Sequence, residues 1–300
     1  MLETSGTKPS EMAYLLRPRR LGARGAVVLC ALALVLAAAA SWASPPPVRE
    51  TLASVSYTGR LDLPGGPLPA RVMLPAETLY QWPELPNGCE ATTLAMLLRG
   101  YGFAADKLEL AYTYIPREDF SYEEDAAFGP DPEQAYAGDP AAFGFYCFSG
   151  ALKEGADAYL ESVGSALRAV DLTGCSVPEL RAALAQGHPL AVWASIGLEA
   201  LKESSFTWAL DDGTLYRPYS NLHCMLLYGY DKDSYYLLDP LYGPQQVPRL
   251  LFEVRWQDMG SRALALSEGV IVAPFRIPPE PGQPEDPAAR LRLPGADTPV

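Results

Sequence analysis

The sequence predicts an α+β domain between about Val72 and Arg276, with helices early in the chain and an antiparallel sheet after them. Two observations support this class. Apolar residues recur at helical spacing after Cys89 and again after Ser176. Beyond Gly187 the pattern changes to short runs of apolar, aromatic and β-branched residues, which are typical of strands joined by hairpins. Helices followed by strands is the element order of an α+β fold.

The two predicted helices have clear beginnings and ends. The first begins at Cys89 and stops at Gly100 or Gly102, with apolar positions at Ala91, Leu94, Ala95, Leu98 and Tyr101. The second lies in "SVPELRAALAQG". There Ser176 is the expected N-cap, Glu179 completes a capping box and Gly187 ends the helix.

The predicted strands are "HPLAVWASI", "LHCMLLYGY", "SYYLLD" and "ALALSEGVIVA", with a hairpin turn at residues 231–234. Between the two helices lies the acidic, Gly- and Pro-rich stretch "PREDFSYEEDAAFGPDPEQAYAGDPAAFGFY". We expect a long loop region there, either a carrier of specificity or a solvated acidic loop.

The chain ends predict segments outside the domain. Residues 1–44 carry a basic cluster, "RPRRLGAR", followed by an apolar run from Gly25 to Ala43, the pattern of a secretion signal or membrane anchor. The positive-inside rule then places the remaining chain outside the cytoplasm, either anchored by this segment or secreted after cleavage. Residues 45–71 are a Pro/Gly-rich spacer, and residues 277–300 a Pro-rich tail that we expect to be disordered.

Charge and cysteine content exclude several classes of function. The formal net charge is −13, and because residues 1–44 carry five Lys/Arg and two Glu, the remaining chain carries −16. Such a surface repels nucleic acid. With only His188 and His223 and no C-x-x-C pattern, a metal site is poorly supported. Four cysteines follow the apolar run (Cys89, Cys147, Cys175 and Cys224), an even number that leaves the presence of disulfides undecided. At least one thiol is expected to be free.

Cys89 is the candidate nucleophile. A cysteine at a helix N-terminus meets unpaired N–H groups and the positive end of the helix dipole, both of which favour the thiolate. The alternative is a small buried core residue. Thiol catalysis also needs a base, and His223, at the start of an apolar strand, is a better candidate than His188, which follows a helix stop. Asp239, at the end of the next strand, is the candidate partner of that imidazole.

The hairpin tests the pairing of His223 with Asp239. If Tyr230 pairs with Tyr235 in a regular hairpin, Asp239 falls opposite Leu226 and points away from His223, because side chains alternate along strands. An odd loop or a β-bulge restores a shared face. The assignment therefore predicts one of these irregularities.

An oxyanion needs preorganised donors near the thiolate. The Gln81 side chain and the Cys89 N–H are the candidates; a plain surface role for Gln81 is the alternative.

Four segments in order resemble the exported relatives of the bacteriocin-processing peptidases, cysteine peptidase family 39 of the papain-like group. They are "LYQWPELPNGCEATTLAMLLRGYGFAADKLELAYTYIP", "GDPAAFGFY", "GHPLAVWASI" and "NLHCMLLYGYDKDSYYLLDPLYG". The resemblance implies a papain-like α+β fold, with Cys89 as nucleophile, His223 as base, Asp239 as its acceptor and Gln81 as oxyanion donor. In the processing peptidases the glutamine lies six residues before the cysteine, whereas here it lies eight before, so Asn87 is a second candidate.

The sequence thus predicts an exported thiol peptidase or amide hydrolase acting through an acyl-enzyme on a peptide or protein substrate. We expect a monomer, with no cofactor and no nucleic acid partner, and with membrane contact only through the N-terminal segment. Two alternatives use the same residues: an acyl transferase, and a non-catalytic papain-like module that binds cell-wall peptide or a protein partner.

Overall fold

A computed structural model describes residues 67–124 and 126–268. The predicted signal or anchor at 1–44, most of the spacer and the tail at 277–300 lie outside these residues. Within them, no helix combines the length and the apolar character needed to cross a membrane.

The described chain contains five α-helices and thirteen strands. The helices are α1 Cys89–Gly100, α2 Lys107–Glu109, α3 Ser149–Ser162, α4 Val177–Ala185 and α5 Arg249–Asp258. The strands before α4 are β1 Val72–Met73, β2 Arg117–Glu118, β3 Ser121–Glu123, β4 Ala126–Phe128, β5 Tyr136–Ala137 and β6 Leu167–Asp171. Those after it are β7 Leu190–Ser195, β8 Trp208–Ala209, β9 Leu215–Tyr216, β10 Leu222–Tyr230, β11 Ser234–Asp239, β12 Gly243–Pro248 and β13 Ala263–Glu268.

A seven-stranded antiparallel sheet forms the centre of the domain. Its strand order is β12-β11-β10-β7-β13-β6, with β1 paired to β10. Because side chains alternate along each strand, the sheet has two apolar faces. Leu226 and Leu238 belong to the cluster of buried residues that includes α1 and α3. Met225 and Leu237 belong to the cluster that includes α4 and α5. The α+β class is therefore confirmed.

Local sequence explains the predicted helices. Helix α1 spans Cys89–Gly100, as its apolar spacing indicates, and is buried over most of its length because it lies on the sheet. Helix α4 begins with the predicted capping box, in which Ser176 and Glu179 satisfy each other's backbone N–H groups. Gly187 follows α4 at φ +93°, a conformation that glycine adopts without steric cost.

Three helices of the described chain were not predicted: α3, α5 and the three-residue α2. Gly150 and Gly155 interrupt the sequence pattern of α3, and glycine disfavours helix. A Cβ on Gly155 would lie 2.7 Å from the side chain and 2.9 Å from the Cα of Ile115, so close packing requires glycine there. In α5, only Phe252 and Trp256 are buried, while Leu250 is 68 % exposed, which obscures the helical pattern.

The acidic region between α1 and α3 is more structured than the loop predicted from its sequence. It contains four short strands: β2 pairs with β5, while β3 and β4 form a small sheet with β8 and β9. Five aromatic side chains contact one another in and beside this region: Phe120, Phe143, Phe145, Phe206 and Trp208. These apolar contacts hold an otherwise polar segment against the domain.

Candidate active site

A groove of about 340 Å³ collects the predicted site residues. Cys89, His223 and Gln81 all line it, and Asp239 lies next to His223. Its other lining residues are Pro86, Asn87, Gly144, Phe145, Tyr146, Ile196, Tyr219, Ser220, Leu222 and Leu241. Apart from the predicted residues and Asn87, the lining is mainly apolar and aromatic, a composition suited to binding an organic ligand.

His223 and Asp239 form a buried hydrogen bond. The imidazole Nε2 lies 2.7 Å from Asp239 Oδ1, and the two residues are 1 % and 3 % exposed. Asp239 Oδ1 also accepts the backbone N–H of Leu241 at 2.7 Å. Since a carboxylate only accepts hydrogen bonds, Nε2 carries the proton and Nδ1 is left as a base.

The strand register explains how these two side chains meet. Tyr230 pairs with Tyr235 across a four-residue loop, but the register shifts between Leu227 and Gly229, so Tyr228 is an extra residue in β10. Beyond this bulge Leu226 pairs with Leu238, which brings Asp239 onto the face of His223. The predicted irregularity is thus present. Cys224, beside His223, is fully buried in the core cluster that includes α1, as expected from alternation.

Two successive turns fold the Gln81 segment back toward Cys89 and close the eight-residue gap. The Leu85 N–H donates to the Gln81 carbonyl at 2.9 Å, and the Gly88 N–H donates to the Leu85 carbonyl at 2.9 Å. A Cβ on Gly88 would lie 2.5 Å from Leu85 Cβ, so only glycine fits this turn directly before the helix. Gln81 consequently lines the same groove as Cys89.

The two candidate oxyanion amides have different partners. Gln81 is 3 % exposed, and its Nε2 donates to the Pro86 carbonyl at 2.5 Å, which leaves its second N–H available. Asn87 donates through Nδ2 to the Ala142 carbonyl at 2.8 Å and so braces the opposite loop. Each amide thus keeps one N–H outside these two bonds, and the oxyanion role of Gln81 stays a prediction.

The environment of Cys89 corrects one expectation. The helix N-terminus was expected to favour the thiolate, yet burial raises the pKa of the thiol well above its usual value, and the neighbouring Glu90 raises it further. Cys89 is only 6 % exposed, so loss of hydration outweighs the helix dipole. Within the described part of the chain no hydrogen bond joins this thiol to His223; its polar neighbours are Glu90 and the Cys224 backbone.

The remaining cysteines and His188 do not line the groove. All four cysteines of residues 67–268 are free and buried, so the disulfides left open by the sequence do not form among them. His188 Nδ1 lies 3.0 Å from the Tyr101 hydroxyl and 2.9 Å from the Leu266 carbonyl, outside the groove. No cluster of His, Cys, Asp or Glu in the described ranges has the geometry to hold a metal ion.

Comparison with known proteins identifies the family. The model of the Peptidase_C39 like family matches residues 73–264. The uncharacterized protein YvpB of Bacillus subtilis (strain 168) is 30 % identical over 188 residues, which cover 62 % of this chain and 71 % of YvpB. A crystal structure from Bacillus anthracis, assigned to the C39-like peptidases, is 32 % identical with a TM-score of 0.59, covering 67 % of this chain and 99 % of that one. Since the family model spans more than half of its length, the chain belongs to the C39-like peptidase family and is of the cysteine-peptidase type.

Proposed function

We propose that the protein is an exported thiol peptidase whose nucleophile is Cys89, with His223 as base, Asp239 as its acceptor and Gln81 as oxyanion donor. One observation carries the proposal: a single groove is lined by a cysteine at a helix start, a histidine whose Nε2 is held by a carboxylate, and a side-chain amide. Thiol catalysis requires this set of groups.

The buried thiol determines how the nucleophile forms. Because the pKa of Cys89 is raised, the resting thiol keeps its proton at neutral pH. Rotation of the Cys89 side chain toward His223 brings Sγ to Nδ1, and the proton moves to the imidazole as the substrate binds. Contacts of this kind often tighten only in the complex with substrate.

The reaction then follows the acyl-enzyme route. The thiolate attacks the carbonyl carbon, and the negative charge on its oxygen is stabilised by the free N–H of Gln81 and by the Cys89 N–H, which has no partner inside the helix. The imidazolium donates its proton to the leaving amine as the C–N bond breaks. Water, deprotonated by His223, then releases the acid product and the thiol.

Alkylation tests the nucleophile. Native protein is treated with iodoacetamide at mildly acidic pH, and adducts are located by mass spectrometry in wild type, His223→Ala and, as the control for the other histidine, His188→Ala. We expect selective labelling of Cys89 that slows about tenfold or more in His223→Ala only, the scale of a general-base contribution. Labelling of Cys89 no faster than of the buried Cys175 contradicts the proposal.

Turnover is tested on a peptide library by enrichment of new N-termini. We expect new termini with wild type and none with Cys89→Ala. Products in which an amine has replaced water as acceptor identify an acyl transferase instead. Labelling of Cys89 without any new product identifies a binding module.

A further inference from the structure

Lys107 holds the turn that carries Gln81. Its Nζ donates to the Tyr80 carbonyl at 2.5 Å, to the Gln81 carbonyl at 3.2 Å and to Glu84 Oε2 at 2.7 Å. An ammonium group has three N–H donors, so all three are used on this one turn. The Lys107 side chain is only 15 % exposed, which reduces the screening of these contacts by water.

The backbone of Lys107 is fixed independently of the turn. Asp106 caps helix α2, its carboxylate accepting the N–H of Leu108 at 2.9 Å and of Glu109 at 3.0 Å. The ammonium group is therefore presented from an ordered helical turn.

Gln81 has few other restraints. Its backbone N–H donates to the Pro240 carbonyl at 3.0 Å, directly after Asp239, and its carbonyl accepts the Leu85 N–H at 2.9 Å. Its side chain makes one hydrogen bond, to Pro86. Its Oε1 is buried with no hydrogen-bond partner among the described residues. Without the cation, two carbonyl oxygens and the Glu84 carboxylate would face each other unneutralised, and the turn would open.

We propose that Lys107 is a positioning residue that holds the Gln81 amide at the oxyanion site. This inference rests on the proposed function. Lys107 touches neither the substrate nor the reacting atoms; it acts through the carbonyls of residues 80 and 81.

Two thiol reagents separate this role from a structural one. p-Nitrophenyl acetate acylates a thiol through a tetrahedral oxyanion, whereas iodoacetamide alkylates it without one. In Lys107→Met we expect the rate of Cys89 acylation to fall about 10- to 100-fold, the upper end being the loss caused by removing an oxyanion donor. The rate of alkylation should stay within about twofold of wild type. Lys153→Met, which breaks the Lys153–Asp157 ion pair on α3, is the matched control and is expected to change neither rate.

A double-mutant cycle tests the route through Gln81. In a Gln81→Ala background, Lys107→Met is expected to cost less than about twofold in acylation. Equal losses in both backgrounds, or a parallel fall in alkylation, overturn the inference. If Lys107→Met does not fold, Lys107→Arg and Glu84→Gln take its place, with smaller losses again confined to acylation. If Cys89→Ala is acylated as fast as wild type, the result would instead contradict the proposed function itself.

Discussion

Replacing Glu90 with glutamine should make the stability of the domain less dependent on pH. Glu90 is the second residue of α1 and is fully buried beside the core thiols of Cys147 and Cys224. Neither of its carboxyl oxygens has a hydrogen-bond partner of normal geometry among the described residues. Burial raises the pKa of this carboxyl from 4.5 to about 8, although its own N–H, the Cys89 thiol and the Cys147 backbone offset part of the rise.

The size of the effect follows from this pKa. Between pH 4.5 and pH 8 the folded protein keeps the Glu90 proton, whereas the unfolded chain has lost it. Folding then takes up a proton, so the free energy of unfolding falls as the pH rises, by about 1.4 kcal/mol per pH unit. Below pH 4.5 Glu90 is protonated in both states, so its ionisation takes nothing from the stability. By pH 8 the free energy of unfolding has fallen by about 5 kcal/mol.

Urea unfolding at pH 5, 6 and 7 measures this for wild type, Glu90→Gln and the exposed control Glu154→Gln. Glutamine resembles the protonated acid in shape but does not ionise. We expect the stability of Glu90→Gln relative to wild type to rise by about 3 kcal/mol from pH 5 to pH 7. The lowered pKa of His188 affects both proteins and cancels in the difference. Parallel curves for wild type and Glu90→Gln would refute a buried, protonated Glu90.

Three further predictions follow from single contacts. In Asp239→Asn the amide donates to His223 Nε2 and moves the imidazole proton to Nδ1, so Cys89 acylation should fall about 10²- to 10⁴-fold with unchanged folding. Stopped-flow kinetics measure the acylation rate, and a loss under threefold contradicts the triad. In Gly144→Ala the new Cβ would lie 2.6 Å from the Asp139 carbonyl oxygen, so urea unfolding should show about 1–3 kcal/mol of destabilisation. Unchanged stability would mean that this wall of the groove relaxes freely. Ser176→Ala removes the capping box of α4 and should lower the free energy of unfolding by about 1 kcal/mol in the same assay, with unchanged Cys89 acylation. A change in acylation would count against a purely structural cap.

Local patterns were sufficient for several elements. The bounds of β10 and β11 coincide with the predicted runs, and the start of α1 at Cys89 follows from its apolar spacing. An irregularity in the hairpin was predictable because a shared face for His223 and Asp239 requires an odd-length loop or a bulge, and the structure has the bulge. Each of these inferences depends on residues near one another in sequence, where spacing alone determines which side chains share a face.

Other features depend on contacts between distant segments. Helix α3 contains Gly155 because Ile115, forty residues earlier, packs against it, and no local pattern records that contact. The position of Gln81 in the groove, and the ammonium of Lys107 that holds its turn, likewise required the tertiary structure.

The sequence by itself determined the α+β class, the family resemblance and the candidate residues Cys89, His223, Asp239 and Gln81. Only the tertiary structure decided how Cys89 ionises, because the pKa of a thiol depends on how much water the fold removes from it. A helix N-terminus favours the thiolate, but the complete burial of the surrounding core favours the thiol more strongly. Desolvation is a property of the packed domain and has no signature in the spacing of residues.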